Sequence, residues 1–485
     1  MITLEEVLSP ENMQTACRRV VANKGAPGVD GMTVNEIRAH FEKHGASICA
    51  HIREGRYIPA AVKRVDIPKP NGGTRMLGIP TVQDRVIQQA IAQVLSKHFD
   101  PLFSEFSYGF RPGKSAHEAI EQTQKYIAEG RTWVVELDLA KFFDTVNHNR
   151  LMSKLGQHTE DKMLLRLIRR YLRTGIMSEG VVQVREEGIP QGSPLSPILS
   201  LIVLDELDKY LDKRGLKYCR FADDCNCYAK SRKAAERTLE NMISFIEGTL
   251  KLRVNRDKSG VFRPSKAKFL EYTFVGTTGA ARVHAKSFQR LRDKLKEIFF
   301  RARGTSLLKT IAKLNMVLRG WRNYFRLDER KGIFEALDIH IRRHLRKLIW
   351  IAWKKPKTRE RNLVKRGLDP VQAWKSSVNG RGAWWNAGAL HMLYAFDNRF
   401  FQKRGYTACL GRLNPPLMFE NRRMPNGTSE PSLGLCGVGG RTCEGSLYPI
   451  WHSFRTLHLD ARKPRLERVR NRDRLSRCRL RLWRP

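Results

Sequence analysis

The stretch WVVELDL at residues 133–139 is apolar and rich in β-branched residues, yet a carboxylate, Asp138, stands near its end. Length and composition make it a buried strand. A strand of that kind needs neighbours, which constrains the rest of the chain. From Asp138 to Asp223 is 85 positions, and there YCRFADDCNCYAK at 218–230 sets Asp223 and Asp224 between short apolar and aromatic flanks. The flanks read as a hairpin with both aspartates at its tip. Taken singly these features are ordinary: an Asp at a strand end reads as a helix N-cap, and an Asp-Asp pair as a surface turn. Two strands that each deliver Asp at an end are a different proposition.

Nucleotide polymerisation uses two metal ions about 3.5–4 Å apart, one activating the attacking 3′-hydroxyl and one holding the triphosphate. Mg²⁺ asks for oxygen ligands on a rigid support, which Asp138, Asp223 and Asp224 would supply. Between the two strands lies GIPQGSPLSPILS at 188–200, whose Gly and Pro residues shape a backbone that a nucleic acid strand can approach closely, with Gln191 as a hydrogen-bonding side chain. Upstream, IPKPNGGTRMLGIP at 67–80 carries Lys69 and Arg75 around a glycine turn, a hairpin suited to gripping a triphosphate. An ordinary loop and a solvated hairpin are the bland readings of these two segments.

Charge narrows the partner. The chain carries 89 Lys and Arg against 48 acidic residues, a formal net charge of +41. That excess calls for a polyanion, and nucleic acid is the default because neutralising phosphates releases counterions. The basic residues are spread along the chain rather than on one amphipathic helix, which argues against a membrane surface. The most apolar run, LSPILSLIVL at 195–204, is too short to span a bilayer. Nine unevenly spaced Cys without a CxxC pair suggest a reduced, cytoplasmic protein.

Helices are expected over much of residues 1–60, at 82–99, 115–129, two within 147–174, and at 195–213 and 231–250, with two short strands within 62–80. From about residue 285 helical segments dense in Lys and Arg take over, so a domain boundary is expected near 280–290. Beyond about 412 the sequence is rich in Pro, Gly and Ser, and 461–485 holds 11 Lys and Arg against two acidic residues.

The ordered set TRMLGIP, FSYGFRPGKSAH, AKFFD, PQGSPLSP and FADD, followed by LNMVLRGWRNYFR at 314–326, IHIRRHLRKLIWIAWKKPKTRERNL at 339–363 and GRGAWWNAGALHMLYAFDNRFFQKRGY at 380–406, resembles the reverse transcriptase/maturase encoded within bacterial group II introns. The likeness runs from about residue 5 to 412, nearest to compact forms without an endonuclease domain. It implies an α+β right-hand polymerase: fingers and palm over 1–285, an α-helical thumb over 286–350, a helical maturase domain over 351–412, and a low-order basic tail over 413–485. It makes Asp138, Asp223 and Asp224 the catalytic, metal-binding carboxylates, holding two Mg²⁺ ions for which Mn²⁺ can substitute. Lys69, Arg75, Phe143 and Gln191 match nucleotide-binding positions, Phe143 as the ring under the incoming sugar. Pro190, Gly192 and Lys258 match template and primer positions. Arg319, Trp321, Arg342, Arg343, Lys354, Lys357 and Arg359 fall in segments expected to bind RNA. The implied partners are intron RNA, an RNA template with a DNA primer, dNTPs and target DNA, in a bacterial ribonucleoprotein associated with the nucleoid. The alternative is a splicing maturase whose polymerase is weakened or lost.

Several positions depart from the family pattern. Phe221 stands where Tyr usually begins the metal hairpin, and QGS at 191–193 replaces QGG. FLEYTF at 269–274 puts Glu271 where Gly is general, beside the primer grip, so its charge is expected to weaken priming.

Overall fold

The computed structural model describes residues 1–68, 73–178, 181–183 and 186–408. Lys69 and the expected tail at 413–485 lie outside the described residues.

The described strands are β1 (Val62–Pro68), β2 (Thr74–Ile79), β3 (Trp133–Leu137), β4 (Ile176–Ser178), β5 (Val181–Gln183), β6 (Lys217–Phe221), β7 (Asp224–Ala229), β8 (Gly260–Phe262), β9 (Tyr272–Val275) and β10 (Ala280–Val283). One sheet has the order β6-β7-β3-β8, so β3 is flanked on both sides by antiparallel partners. A second sheet, β2-β1-β4-β5, joins the antiparallel β1–β2 hairpin to the β4–β5 ribbon through parallel β1–β4 pairing. β9 and β10 form a separate hairpin.

Two helices, Val82–Phe99 and Ser196–Lys213, are buried along most of their length. Both carry apolar residues all round rather than on one stripe, as core helices do. They share the largest apolar cluster with Val135, Leu137, Cys225 and Cys227 from the underside of the first sheet. Thr81 caps the first of these helices, and a capping box between Ser115 and Glu118 starts the helix Ala116–Ala128.

From Ala285 the chain is helical: Ala285–Arg301, Leu307–Tyr324 and Lys331–Ala352, then shorter helices. Leu291, Leu295, Phe299, Leu314, Leu318, Ile341 and Leu345 form a core of their own. A third cluster joins the parts, with Phe325 and Trp321 against Tyr272 and Phe274 of β9. Among the described residues, no helix is long and apolar enough to cross a membrane.

Candidate active site

Register places the carboxylates. Leu137 of β3 is paired with Cys225 of β7, so continuing the antiparallel register sets Asp138 opposite Asp224. Phe221 pairs with Asp224, leaving Ala222 and Asp223 as a two-residue hairpin loop. Asp138, Asp223 and Asp224 therefore meet at one end of the sheet. Asp138 is fixed through its backbone: its N–H donates to Ser259 Oγ at 3.0 Å, and its carbonyl accepts from the Asn255 N–H at 2.8 Å. The Lys258 ammonium lies 3.4 Å from Asp138 Oδ2.

The two hairpin acids sit in unlike surroundings. Burial raises the Asp223 carboxyl, and Asp138 adds to this while Arg75 works the other way. Asp224 has an exposed outer face. Protein packed around its carboxyl, then the like charges of Asp223 and Asp138, push it up to about 7. Crowded acids of this kind hold unmet negative charge. Among the described residues, no three carboxylate, imidazole or thiol side chains converge as a ready-made cage. Mg²⁺ binds through one or two carboxylates, its own waters and substrate phosphates. The donor set fits an ion whose coordination the substrate completes.

The loop at 188–195 sits against the β1–β2 hairpin. Arg75 Nε donates to Gln191 Oε1 at 2.8 Å, and the Gly78 N–H donates to the Gln191 carbonyl at 2.8 Å. Gly192 has φ +105, and a Cβ there would stand 2.5 Å from the Gly78 carbonyl oxygen, so only glycine fits. Ser193, the departure from QGG, needs no left-handed backbone. Its buried hydroxyl donates to Gln88 Oε1 at 2.8 Å, so it is accommodated without strain. Pro190 is buried and its carbonyl accepts from Ser196 Oγ. Phe143 is half-buried and edge-on to the buried Phe142, and its carbonyl accepts from the Ile189 N–H at 2.6 Å. The structure thus brings Arg75, Phe143, Gln191 and Gly192 together around residues 189–192, with the Arg75 charge felt at Asp223.

Sequence reasoning missed the device behind the hairpin. Ala222 is left-handed at φ +57, which costs a non-glycine residue on the order of 1–3 kcal/mol. Arg220, fully buried, donates from Nη1 to the Ala222 carbonyl at 2.8 Å and from Nη2 to Ser107 Oγ at 2.6 Å. Its Nε donates to Asp208 at 2.7 Å, and Nη2 also bonds that carboxylate. Burial opposes the Arg220 charge, but Asp208 more than offsets it and holds the guanidinium above its usual pKa. Residues 106–108 run beside β6, and a Cβ on Gly109 would stand 2.3 Å from the Ala222 nitrogen. Arg111 ties this segment down through Asp100 and the Ser104 and Ser107 carbonyls. One signal was available: Arg in YCRF and Asp in LIVLDELD are charges inside apolar runs, which must pair if buried.

Glu271, the departure beside the expected primer grip, is paired. With Leu270 it makes a turn in which both residues are left-handed, at φ +48 and +67. Its carboxylate is not a free negative charge. It accepts from Ser287 Oγ, Arg290 and, at 3.0 Å, Lys268. Burial alone would raise its pKa, but these donors outweigh that and hold it below the usual range. Glu136, two residues before Asp138, accepts from the Lys268 N–H and so ties this turn to β3.

The maturase-segment residues divide by contact. Arg319, Lys354 and Lys357 are exposed and Arg342 half-buried. Arg343 stacks over Trp384 at 4.3 Å, and Arg359 over Trp350 at 4.7 Å while bonding the Trp353 carbonyl. Trp321 departs from an RNA-facing role. Its ring packs on Phe288, Phe325 and Phe334, and its indole nitrogen is buried, because the helix turns that face into the joint with β9.

Sequence comparison agrees with this geometry. The reverse transcriptase (RNA-dependent DNA polymerase) family profile matches residues 67–274, and the group II intron, maturase-specific domain profile matches residues 288–367. Protein YkfC of Escherichia coli (strain K12) is 33% identical over 298 residues, 53% of this chain and 78% of YkfC. Group II intron-encoded protein LtrA of Lactococcus lactis subsp. cremoris is 31% identical over 257 residues. The chain belongs to the group II intron-encoded reverse transcriptase/maturase family. The match takes in 53% of this chain but 41% of LtrA, so it spans under half of that relative. The putative COX1/OXI3 intron 2 protein of Saccharomyces cerevisiae is 38% identical over 202 residues, 41% of this chain and 23% of that protein. The β6-β7-β3-β8 sheet lies within the reverse transcriptase match, and most of the helical chain from Ala285 to Ala352 within the maturase-specific match.

Proposed function

We propose that the protein is an RNA-directed DNA polymerase that copies intron RNA into cDNA and binds that RNA to assist its splicing. The observation that carries the reading is the meeting of Asp138 with Asp223 and Asp224 at adjacent strand ends, next to the Arg75–Gln191 contact. Asp138 and Asp223 would hold two Mg²⁺ ions, with Asp224 contributing charge; the ions, when bound, activate the primer 3′-hydroxyl and stabilise the leaving pyrophosphate. Arg75 reaches the triphosphate with Gln191 orienting its guanidinium, and Lys69 is assigned the same task on sequence grounds. Phe143 sits under the sugar and disfavours a ribose 2′-hydroxyl. Pro190, Gly192 and Lys258 line the path of template and primer.

We divide the chain into fingers and palm (1–285), thumb (286–350) and maturase domain (351–412); the change of core near Ala285 supports the first boundary, while thumb and maturase segment share one core. Exposed Arg319, Lys354 and Lys357 would meet intron RNA. Template, primer, dNTPs and target DNA follow from the reaction, and a bacterial ribonucleoprotein near the nucleoid from its substrate. A maturase with a decayed polymerase loses its main motive, since Glu271 is neutralised by its neighbours.

Primer extension on poly(rA)/oligo(dT) with Mg²⁺ tests the reading. Wild type should extend, and Asp223→Ala or Asp138→Ala should abolish extension while binding intron RNA with affinity near wild type. Equal, poor extension by wild type and Asp223→Ala would overturn the polymerase reading.

A further inference from the structure

The helices Ala285–Arg301 and Lys331–Ala352 enclose a cavity of about 270 Å³ that lies away from the palm carboxylates. Its floor is apolar, from Leu295 and Phe299. Its wall is imidazole, from His340 and His344, and its rim is cationic, from Arg292 and Lys296. The rings form a continuous group: His344 stacks on Phe299 with centroids 4.4 Å apart and planes 10° apart, and Trp384 packs tilted against His344 at 4.7 Å. Arg343 and Lys347 cap Trp384 at 4.3 and 5.9 Å. No hydrogen bond among the described residues engages the ring nitrogens of His340 or His344. Burial, then the neighbouring His340, Lys347 and Arg343, lower the His344 pKa to about 4. Each imidazole in its neutral form offers one N–H and one lone pair. Lys296 is shared with Asp293, at 3.2 Å, whereas Arg292 has no such partner among the described residues.

Each feature points the same way. The volume falls just short of the roughly 300 Å³ at which pockets for drug-sized ligands begin, so it suits one planar ring rather than a whole substrate. An apolar floor edged by aromatic and imidazole rings, a paired donor and acceptor, and cations at the mouth suit a base whose phosphates stay outside. Bases in a duplex are stacked and cannot enter, whereas those of loops and bulges can be splayed out. We propose that this cavity receives a single unstacked nucleobase of intron RNA, with Arg292 and Lys296 on the flanking phosphates. The inference rests on the RNA-binding part of the function proposed above and adds a discrete base site to it.

The test uses the full-length protein and two fluorescent RNA probes, a single-stranded 12-mer of mixed sequence and the same 12-mer paired with its complement. Leu295→Phe fills the cavity from its floor. Gln289→Phe fills it from the rim without touching the core, which guards against a folding defect in the first. Base–aromatic stacking is worth about 1–3 kcal/mol per base, so either variant should weaken single-strand binding roughly 5- to 100-fold. Duplex binding and the salt slope should stay unchanged. Arg292→Gln should instead weaken binding and reduce the salt slope by about one charge. If both filled variants bind the single strand like wild type, or lose single strand and duplex equally, the base site is overturned while RNA binding stands. If wild type binds neither probe, the RNA-binding reading fails and the base site with it.

Discussion

Among the turns whose left-handed residues are not glycine, the one at Ala222 and the one at Leu270 and Glu271 are braced in opposite ways. Ala222, beside Asp223, is held by Arg220, which is wholly buried and paired with the equally buried Asp208. Leu270 and Glu271 are held by ion pairs whose side chains keep contact with water, Lys268 at 45% and Arg290 at 51% exposure. A buried charge pair is costly to assemble and more costly to break, whereas exposed pairs contribute little and yield to salt. The turn that carries Asp223 is therefore fixed, and the turn before β9 is adjustable. That suits a polymerase in which the metal ligands must not move while the primer must.

The largest effect should come from breaking the buried brace. Arg220→Met leaves Asp208 charged and unpaired, at a cost of about 3–5 kcal/mol. Urea unfolding should show it as a lower midpoint with an unchanged slope. Arg220→Met with Asp208→Leu should recover most of the stability, because no charge is left buried. Primer extension should stay impaired in the double variant, since the Ala222 carbonyl has lost its donor. Recovery of both stability and extension would show that the pair is mere packing.

Gly109→Ala tests the same brace from its other side. The added methyl would meet the Ala222 nitrogen at 2.3 Å, and that backbone has to shift. Primer extension is expected to fall at least tenfold, while RNA affinity, which draws on the distant basic surface, holds. An unaffected rate would mean that the hairpin tolerates movement, against the contrast drawn here.

A third, smaller effect is a pH dependence confined to the catalytic turn. The Asp224 carboxyl, pushed up to about 7 without metal, must lose its proton before a cation binds. Mg²⁺ affinity by calorimetry should rise between about pH 6 and 8 with proton release, and Asp224→Asn should flatten the rise. The stability of the metal-free protein has the opposite sign. Its folded state holds a proton that the unfolded chain releases near the ordinary Asp value of 3.8, so stability declines as pH climbs from there to about 7. Added Mg²⁺ should reverse that decline.

What could be read from the sequence divides along the same line. Helix 82–99 and strand 133–137 were legible because their apolar patterns are long or dense and their ends carry turn or cap signals. The acids were legible because their chemistry demands a fixed pattern. β4, β5, β8 and the β9–β10 hairpin were not, since strands of three or four residues carry too little periodicity to separate from loop. The roles of Gly109 and Arg220 depend on which distant segments touch, and spacing does not encode that. The pairing of Glu271 was not legible for that reason: its partners Ser287 and Arg290 lie across a hairpin, 16 and 19 residues away.

The smallest effect is also the sharpest, because it turns on an order rather than a size. Glu271→Gly removes the latch to Arg290 and Lys268 but relieves the left-handed backbone at φ +67. Glu271→Gln loses the charge and keeps the strain. Half-exposed pairs of this kind are worth roughly 1 kcal/mol or less, about what the backbone relief returns. Thermal melting should place Glu271→Gly near wild type and Glu271→Gln below both. The gap between wild type and Glu271→Gln should narrow as salt rises from about 0.05 to 0.5 M, since screening weakens the latch and leaves the strain untouched. Matching behaviour in the buried brace, with Arg220→Met softened by salt to the same degree, would erase the distinction between a fixed turn and an adjustable one.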